Sequence, residues 1–475
     1  MNSLAKYPRI IVVPPGPKAR DLAKRDLEVI SPSFTRYYPL VIDSGLGCIV
    51  KDVDGNEYID FNSGLACLNV GHRHPKIVKA IKNQCDKFLH YSNTDFYYEQ
   101  TVKLAEELFK ITPGIFQKKV HFGNSGAEAV ETAIKLSKWH TRKHQFIAFI
   151  GAFHGRTCGA TALTASKITQ RRNYFPLLSG ITHVPYPYCY RCPFNLTYPD
   201  CDYQCITFID DQVLKKYVPP EEVAGFVFEP IQGEGGYIIP PPDYFQRLKK
   251  LADKYGLLLI ADEVQSGIGR TGRWFAIEHW KIEPDIICSA KALASGLPLS
   301  ATISRARLMD WEAGSHASTF GGNPLACEAA LKVIEIVKEE KLLENAEKQG
   351  DYILRWLKNL NEEHEILGDI RGKGLMIGIE FVEDNDTKKA GIDQAREVMI
   401  RCWKRGIAIV TCGVSTLRLV PPLNITRELV DSSLEIIEDV IKEVDGVDIS
   451  GMVLENVVAM IKGEEGTSVD LTFYR

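Results

Sequence analysis

The stretch Gly256-Leu-Leu-Leu-Ile-Ala-Asp-Glu-Val-Gln-Ser-Gly267 begins with apolar residues and ends in charge. Its apolar run, Leu257 to Ala261, is long enough for one buried strand, and Asp262 and Glu263 follow directly. In open α/β sheets, a buried strand often delivers a carboxylate to a site at its carboxyl end. Taken alone, Asp262 more often belongs to a solvated acidic turn. The sequence downstream favours a functional role for Asp262.

A second short apolar strand, Pro284-Asp-Ile-Ile-Cys-Ser-Ala-Lys291, ends at a single lysine among small residues. Such a lysine is poorly placed to be a solvated surface charge. Its amine can be desolvated, which lowers its pKa and makes it a nucleophile for carbonyl groups. A buried lysine and a buried carboxylate suit pyridoxal phosphate (PLP), because the lysine links to the cofactor and the carboxylate keeps the pyridine nitrogen protonated. Lys291 and Asp262 are therefore the predicted catalytic residues.

Together with the motifs below, these two stretches resemble the class III (ornithine/4-aminobutyrate type) aminotransferases of PLP fold type I. The resemblance extends from about Pro32 to about Ile441. It implies an α/β fold with a large, mainly parallel sheet domain that binds PLP and a smaller α+β C-terminal domain. The expected divisions are an N-terminal segment that packs with the small domain (1–70), the large domain (71–325) and the small domain (326–475).

The composition is that of an ordinary soluble globular chain, with 475 residues, 45% of them hydrophobic and 25% charged. Lys plus Arg is 57 and Asp plus Glu is 61, a net charge of −4, so neither nucleic acid nor an anionic membrane is an expected partner. No apolar run approaches the roughly 18 residues of a membrane span. Met1 to Pro15 lacks the features of a signal peptide, which predicts a cytoplasmic protein.

Gly123-Asn-Ser-Gly-Ala-Glu-Ala129 opens a predicted helix. Ser125 and Gly126 stand at its start, where free N–H groups and the helix dipole attract an anion. Ser125 and Glu128 also fit an ordinary capping box, and both interpretations can hold together. By resemblance, the PLP phosphate binds at Ser125, Gly126 and Ala127.

The resemblance also assigns residues around the PLP ring. Phe153, in the Phe-His-Gly-Arg-Thr motif, stacks on one face of the pyridine, an arrangement that aromatic rings favour; without the motif it would be a core residue. Val264 packs on the other face, and Gln265 bonds the phenolic oxygen. His154 and Glu229 belong to the same cofactor-binding set.

Ser315-His-Ala-Ser-Thr-Phe-Gly-Gly-Asn-Pro324 is similar to the family segment whose threonine reaches the PLP phosphate of a neighbouring subunit. We assign that role to Thr319. The resemblance therefore implies a homodimer whose active sites are shared between subunits.

Substrate-binding residues are also implied by resemblance. Arg156 matches an arginine that binds a substrate's distal carboxylate, for which the planar guanidinium is suited; otherwise it is a surface charge. Arg418 takes the substrate's carboxylate, or Glu234 when none is bound, and Glu234 swings away for the second substrate. Leu65 matches a substrate-facing position where an apolar residue is typical of 4-aminobutyrate enzymes, although a core position fits it at least as well.

The cysteines of the insertion at residues 186–206 have the spacing C-x2-C-x8-C-x3-C, close to that of zinc or iron–sulfur ligands. They are Cys189, Cys192, Cys201 and Cys205. Most family members lack this cluster. A structural metal and four free thiols fit the sequence equally well.

The resemblance implies a transaminase that moves an amino group from an ω-amine donor to 2-oxoglutarate, with 4-aminobutyrate first and ornithine or acetylornithine next. The alternative is an amino-acid racemase, because Ala292-Leu-Ala-Ser-Gly296 and the lead-in Pro14-Pro-Gly-Pro-Lys18 are similar to an archaeal branch whose members racemise amino acids. A non-catalytic PLP-binding protein is a third possibility, against which the presence of both Lys291 and Asp262 argues. Residues 449–475 lie beyond the resemblance and receive no function.

Overall fold

A computed structural model describes residues 7–446. In this part of the chain, no helix is long and apolar enough to cross a bilayer. The helices are α1 (Pro17–Val29), α2 (Ser63–Ala66), α3 (Pro75–Cys85), α4 (Glu99–Ile111), α5 (Gly126–Thr141), α6 (Cys158–Leu163), α7 (Gln204–Phe208), α8 (Tyr244–Tyr255), α9 (Pro324–Glu339), α10 (Leu342–Glu363), α11 (Ile392–Lys404) and α12 (Arg427–Val444). The strands are β1 (Ile42–Leu46), β2 (Ile49–Asp52), β3 (Glu57–Asp60), β4 (Lys118–Gly123), β5 (Gln145–Phe149), β6 (Ile181–Val184), β7 (Val223–Phe228), β8 (Leu258–Asp262), β9 (Ile286–Ser289), β10 (Ser300–Arg305), β11 (Leu367–Lys373), β12 (Met376–Asp384), β13 (Lys389–Ala390), β14 (Ile407–Ala408), β15 (Val410–Cys412) and β16 (Thr416–Leu419).

A seven-stranded sheet in the order β4-β10-β9-β8-β7-β5-β6 forms the large part of the molecule. Only β10 runs antiparallel to its neighbours, while the pairs from β9 to β6 are parallel. Every residue of β7, β8 and β9 is buried, as expected for parallel strands covered on both faces. The predicted fold class, with a large mainly parallel sheet, is confirmed.

The two predicted catalytic residues come from adjacent strands of this sheet. Asp262 is the last residue of β8, and Lys291 follows the end of β9 by two residues. Since β8 and β9 are parallel, with Asp262 opposite Cys288, both residues leave the sheet at the same edge. The carboxyl edge of a parallel sheet is where open α/β folds bind their ligands.

The N-terminal strands form a second sheet that includes a strand from the C-terminal part of the chain. Its order is β1-β2-β3-β14, and β3 pairs in parallel with β14 through Ile59 and Ile407. The Tyr38 ring stacks on Trp403 with centroids 4.8 Å apart. These contacts give a physical basis for the expectation that the N-terminal segment packs with the small domain.

The C-terminal part contains an antiparallel sheet in the order β11-β12-β16-β15, with β13 added to β12. Sequence patterning predicts one strand over Gly372–Phe381, but only Met376–Phe381 belong to β12, and Gly372 and Lys373 end β11. The chain turns back between β11 and β12 at Gly374, which has φ +51° and approaches the backbone of Thr271 too closely for a side chain. The hydrophobic run therefore divides between a turn and the start of β12.

Candidate active site

Asp262 is fixed at the floor of a cavity by two hydrogen bonds. Its Oδ2 lies 2.7 Å from Nδ1 of His154, and its Oδ1 accepts the backbone N–H of Val264 at 3.1 Å. Both side chains are almost wholly buried. Burial would lower the pKa of His154, but the hydrogen bond and the charge of Asp262 raise it above its ordinary value. Asp262 is thus a carboxylate whose orientation is set before any ligand binds.

Glu229 holds two loops beside this floor. Its Oε2 accepts the backbone N–H of Phe153 at 2.9 Å, and its Oε1 accepts that of Gly233 at 3.0 Å. Burial, against the opposing charge of His154 and together with the charge of Asp262, raises the pKa of Glu229 to about 7. Glu229 therefore positions the backbone on either side of the cavity.

Lys291 enters the same cavity from an unusual backbone conformation. Its φ is +47°, in the left-handed region that residues other than glycine seldom adopt and that is enriched at functional sites. The side chain is half-buried, and within residues 7–446 it makes no hydrogen bond or ion pair. Burial lowers the pKa of its amine, and the charge of Arg418 lowers it as well. Both effects favour the neutral, nucleophilic form.

The N-terminus of α5 forms another wall of the cavity. Ser125 is the N-cap residue, and its Oγ accepts the backbone N–H of Glu128 at 3.2 Å. The predicted capping box forms only in part, because the Glu128 carboxylate bonds the backbone and side-chain amides of Asn124 instead of the N–H of Ser125. A Cβ on Gly126 would lie 2.8 Å from Val264, so only glycine fits there without moving Val264.

The cavity, of about 160 Å³, brings together nine of the eleven predicted cofactor residues. They are Gly126, Ala127, Phe153, His154, Glu229, Asp262, Val264, Gln265 and Lys291. Ser125 adjoins this set at the helix start. Thr319 does not line the cavity and is exposed, so its predicted contact with a partner's phosphate stays a prediction.

Tyr237 orients Gln265, a contact that sequence reasoning missed. The buried hydroxyl of Tyr237 donates to Oε1 of Gln265 at 3.0 Å. Gln265 therefore has its amide N–H groups left to offer to the cavity. This suits the predicted bond to a phenolic oxygen.

The residues present fit PLP. A helix N-terminus, a preset carboxylate, an orphan lysine amine and an amide donor line one cavity, and these are the groups that a phosphate, a pyridine nitrogen, an aldehyde and a phenolate need. Phe153 also lines it, and the guanidinium of Arg156 lies 5.6 Å above the Phe153 ring. Arg156 itself is exposed.

Glu234 joins two cations beside the site. Its Oε1 lies 2.6 Å from Nζ of Lys167, and its Oε2 lies 3.5 Å from Nη1 of Arg418. Arg418 is only 4% exposed, and its Nε is buried without a hydrogen-bond partner in the described part of the chain. Burial would lower the pKa of Arg418, but neighbouring Tyr237, Cys412 and Glu234 raise it. The predicted pairing of Glu234 with Arg418 is present, and Lys167 was not predicted.

Leu65 lies in α2, which is a single turn in the left-handed conformation and not a regular α-helix. Ser63, Gly64, Leu65 and Ala66 all have positive φ, between +43° and +64°. Asp60 supports this turn by accepting the backbone N–H groups of Asn62 and Ser63, each at 2.8 Å. Leu65 is 44% exposed, so its interpretation as a core residue is wrong.

Arg270 ties this turn to the rest of the molecule and was also missed. It is fully buried and donates to Ser63, Asn69 and two C-terminal backbone carbonyls, those of Leu375 and Pro421. Its position in Gly269-Arg-Thr-Gly272 gave a local signal, because the glycines indicate close backbone packing.

The four cysteines of the insertion line one small apolar cavity of about 20 Å³. Within residues 7–446, however, no group of three or more histidine, cysteine, aspartate or glutamate side chains is arranged to hold a metal. The zinc or iron–sulfur prediction is therefore not supported by the structure. All four are free thiols here, and burial raises the pKa of Cys189 to about 11 and that of Cys205 to about 12.

Known proteins resemble the chain over most of its length. The sequence pattern of the family described as "Aminotransferase class-III" matches residues 31–441. The alanine/serine racemase of Pyrococcus horikoshii is 41% identical over 93% of this chain and 94% of its own. The 4-aminobutyrate aminotransferase GabT of Escherichia coli is 38% identical over 89% and 98%. A solved Bacillus anthracis aminotransferase is 33% identical with a TM-score of 0.83, covering 90% of this chain and 99% of that one. The chain belongs to the PLP-dependent class III aminotransferase family.

Proposed function

We propose that the chain is a transaminase that takes the amino group of an ω-amine donor, 4-aminobutyrate foremost, and transfers it to 2-oxoglutarate. Ornithine and acetylornithine are the next donors. The observation that carries this proposal is the carboxylate of Glu234 lying between Lys167 and Arg418. An enzyme that alternates between a donor and a dicarboxylate acceptor needs an arginine that is paired with a protein carboxylate for one substrate and free to bind the other.

Each part of the cavity has a separate role in the proposed reaction. PLP, when bound, supplies an electron sink that stabilises negative charge on the substrate carbon. Lys291 holds the cofactor between turnovers, and its Nζ removes the proton from the carbon that carries the amino group. Asp262, preset by His154, keeps a proton on the ring nitrogen. The free N–H groups at the start of α5 hold the phosphate.

Arg418 and Arg156 are proposed to recognise the substrate carboxylates. Arg418 is buried with donors to spare, which favours bidentate binding of a carboxylate when one enters. Arg156 is exposed beside Phe153, where it can take the carboxylate at the far end of the substrate. Leu65, half-exposed on its turn, is placed to contact the aliphatic part of the donor.

We also propose that the enzyme works as a homodimer in which Thr319 contacts the phosphate held by the partner. Thr319 is exposed and lies outside its own chain's cavity. Asn124, at the start of the phosphate motif, donates to Oγ of Ser318 at 2.9 Å, which helps to fix the segment that carries Thr319.

The second candidate is an amino-acid racemase. It is favoured by the 41% identity to the alanine/serine racemase of Pyrococcus horikoshii, which is above the 38% identity to the 4-aminobutyrate aminotransferase. A racemase returns the proton to the same carbon from the opposite side and consumes no keto acid. A racemase binds one class of substrate, so it does not need Glu234 to pair with Arg418 for one substrate and release it for another.

A half-reaction without keto acid separates the two candidates. The holoenzyme is mixed separately with 4-aminobutyrate, ornithine, acetylornithine and L-alanine, and the absorbance band of the lysine-bound cofactor is followed. We expect 4-aminobutyrate to convert the cofactor to its amine form fastest. Retention of the band together with appearance of D-alanine would make the racemase the correct function.

A further inference from the structure

Lys167 lies outside the residues that the family resemblance assigns, yet it makes the shorter of the two contacts to Glu234. The Lys167 Nζ to Glu234 Oε1 distance is 2.6 Å, against 3.5 Å from Arg418 Nη1 to Oε2. A charge-assisted N–H···O bond is strongest near 2.7–2.9 Å, and one at 3.5 Å is at the outer limit. Glu234 is therefore held mainly by Lys167 and only loosely by Arg418.

We propose that Lys167 is the positioning residue that takes Glu234 when a substrate carboxylate binds Arg418. This inference rests on the proposed function and deepens it, because it concerns how the same site accepts a dicarboxylate. The Glu234 side chain is 17% exposed, so leaving Arg418 without another partner would strand a largely buried charge. Lys167 removes that cost, since its ion pair with Glu234 is already formed.

The charges around the site support this role. Lys167 and Arg418 carry two positive charges and Glu234 one negative charge. One positive charge therefore remains for a ligand even when Glu234 is in place. With Lys167 removed, Glu234 would neutralise Arg418, and an entering carboxylate would have to displace it.

The backbone around Glu234 allows the side chain to move without moving the loop. The carbonyl of Glu234 accepts the N–H of Gly413 at 2.7 Å, and Arg371 binds the carbonyl of Gly236 at 2.6 Å. Glu229 holds the N–H of Gly233 on the other side. The side chain of Glu234 can therefore move between Lys167 and Arg418 while its backbone stays in place.

The test measures binding of glutarate, an unreactive dicarboxylate, to the holoenzyme by calorimetry. We expect Lys167→Met to raise the glutarate Kd about tenfold, because Glu234 loses its charge-assisted contact with Lys167. Lys167→Arg should restore most of the affinity. Lys249→Met, which removes a similarly exposed lysine paired with Asp253, is the matched control and should bind like the parent protein.

A double-mutant cycle separates this role from a general electrostatic or structural one. In a Glu234→Gln background no carboxylate competes for Arg418, so adding Lys167→Met should change the glutarate Kd less than about threefold. A tenfold loss that persists in this background, or no loss in Lys167→Met alone, would overturn the proposal. Because glutarate does not react, this result is independent of whether the half-reaction identifies a transaminase or a racemase.

Discussion

The cavity floor and the carboxylate site beside it are built in different ways. The floor places Asp262, Glu229 and Lys291 at the ends of neighbouring parallel strands, and both carboxylates are fixed by hydrogen bonds to backbone N–H groups. The carboxylate site instead joins long side chains from separate loops and from β16. The first arrangement suits a cofactor that stays bound, whereas the proposed function requires the second to rearrange between two substrates.

The largest effect is expected from removing the floor's nucleophile. Lys291→Ala should reduce turnover to background, because no other amine lines the cavity within the described residues. The cofactor should still bind through the helix N-terminus and Asp262, without the absorbance of the lysine-linked form. Steady-state kinetics and spectra of the reconstituted variant check this. Normal turnover would mean that the assignment of the catalytic lysine is wrong.

Asp262→Asn should lower turnover on the order of 10³-fold, because the ring nitrogen loses its preset and buried counter-charge. Glu263→Gln is the matched control. Glu263 is the adjacent buried carboxylate, but it bonds Ser266 and the N–H groups of Ala276 and Ile277, away from the cavity. Its variant should change turnover little. Equal losses in both variants would indicate general damage to the floor.

The floor should also shift the titration of its lysine. Since burial lowers the pKa of Lys291, its amine becomes neutral and reactive at a lower pH than an ordinary lysine. Lys110, whose pKa is raised by its hydrogen bond to Glu107, is the internal reference. Labelling of the cofactor-free protein with an amine-reactive reagent across pH should modify Lys291 at lower pH than Lys110. The reverse order would contradict the burial of this amine.

The smallest effect is expected at the substrate side. Leu65→Ala should change the free energy of unfolding by less than about 1 kcal/mol, because the side chain is half-exposed. Ile260→Ala, at a wholly buried position of β8, should cost about 2–5 kcal/mol. Leu65→Ala should still alter the relative rates of 4-aminobutyrate and ornithine in half-reactions. Unchanged donor preference would remove Leu65 from the substrate site.

The difference between the cavity floor and the carboxylate site also explains which residues could be predicted from the sequence. Asp262 and Lys291 end apolar runs, and strand pairing alone brings them to one edge, so local patterns were sufficient. The helix of the phosphate motif was likewise indicated by its N-cap residue.

Lys167 could not be predicted because its partner is 67 residues away along the chain, and a lysine after a serine carries no local signal. The sequence indicates no polar role for Tyr237, because its hydrogen bond to Gln265 depends on the fold. The single strand predicted over Gly372–Phe381 was wrong at its start, because Gly374 makes the turn between β11 and β12. The cysteine spacing suggested a metal, but spacing does not fix where thiols point.

Transfer of isotopically labelled nitrogen from 4-aminobutyrate to 2-oxoglutarate tests the proposed function most directly. Purified holoenzyme is incubated with both substrates, and the label in glutamate is quantified by mass spectrometry, with L-alanine alone as a parallel reaction. A transaminase should place one labelled nitrogen in glutamate for each donor consumed and should leave L-alanine unracemised. No labelled glutamate, with D-alanine accumulating in the parallel reaction, would contradict the proposed function and identify a racemase.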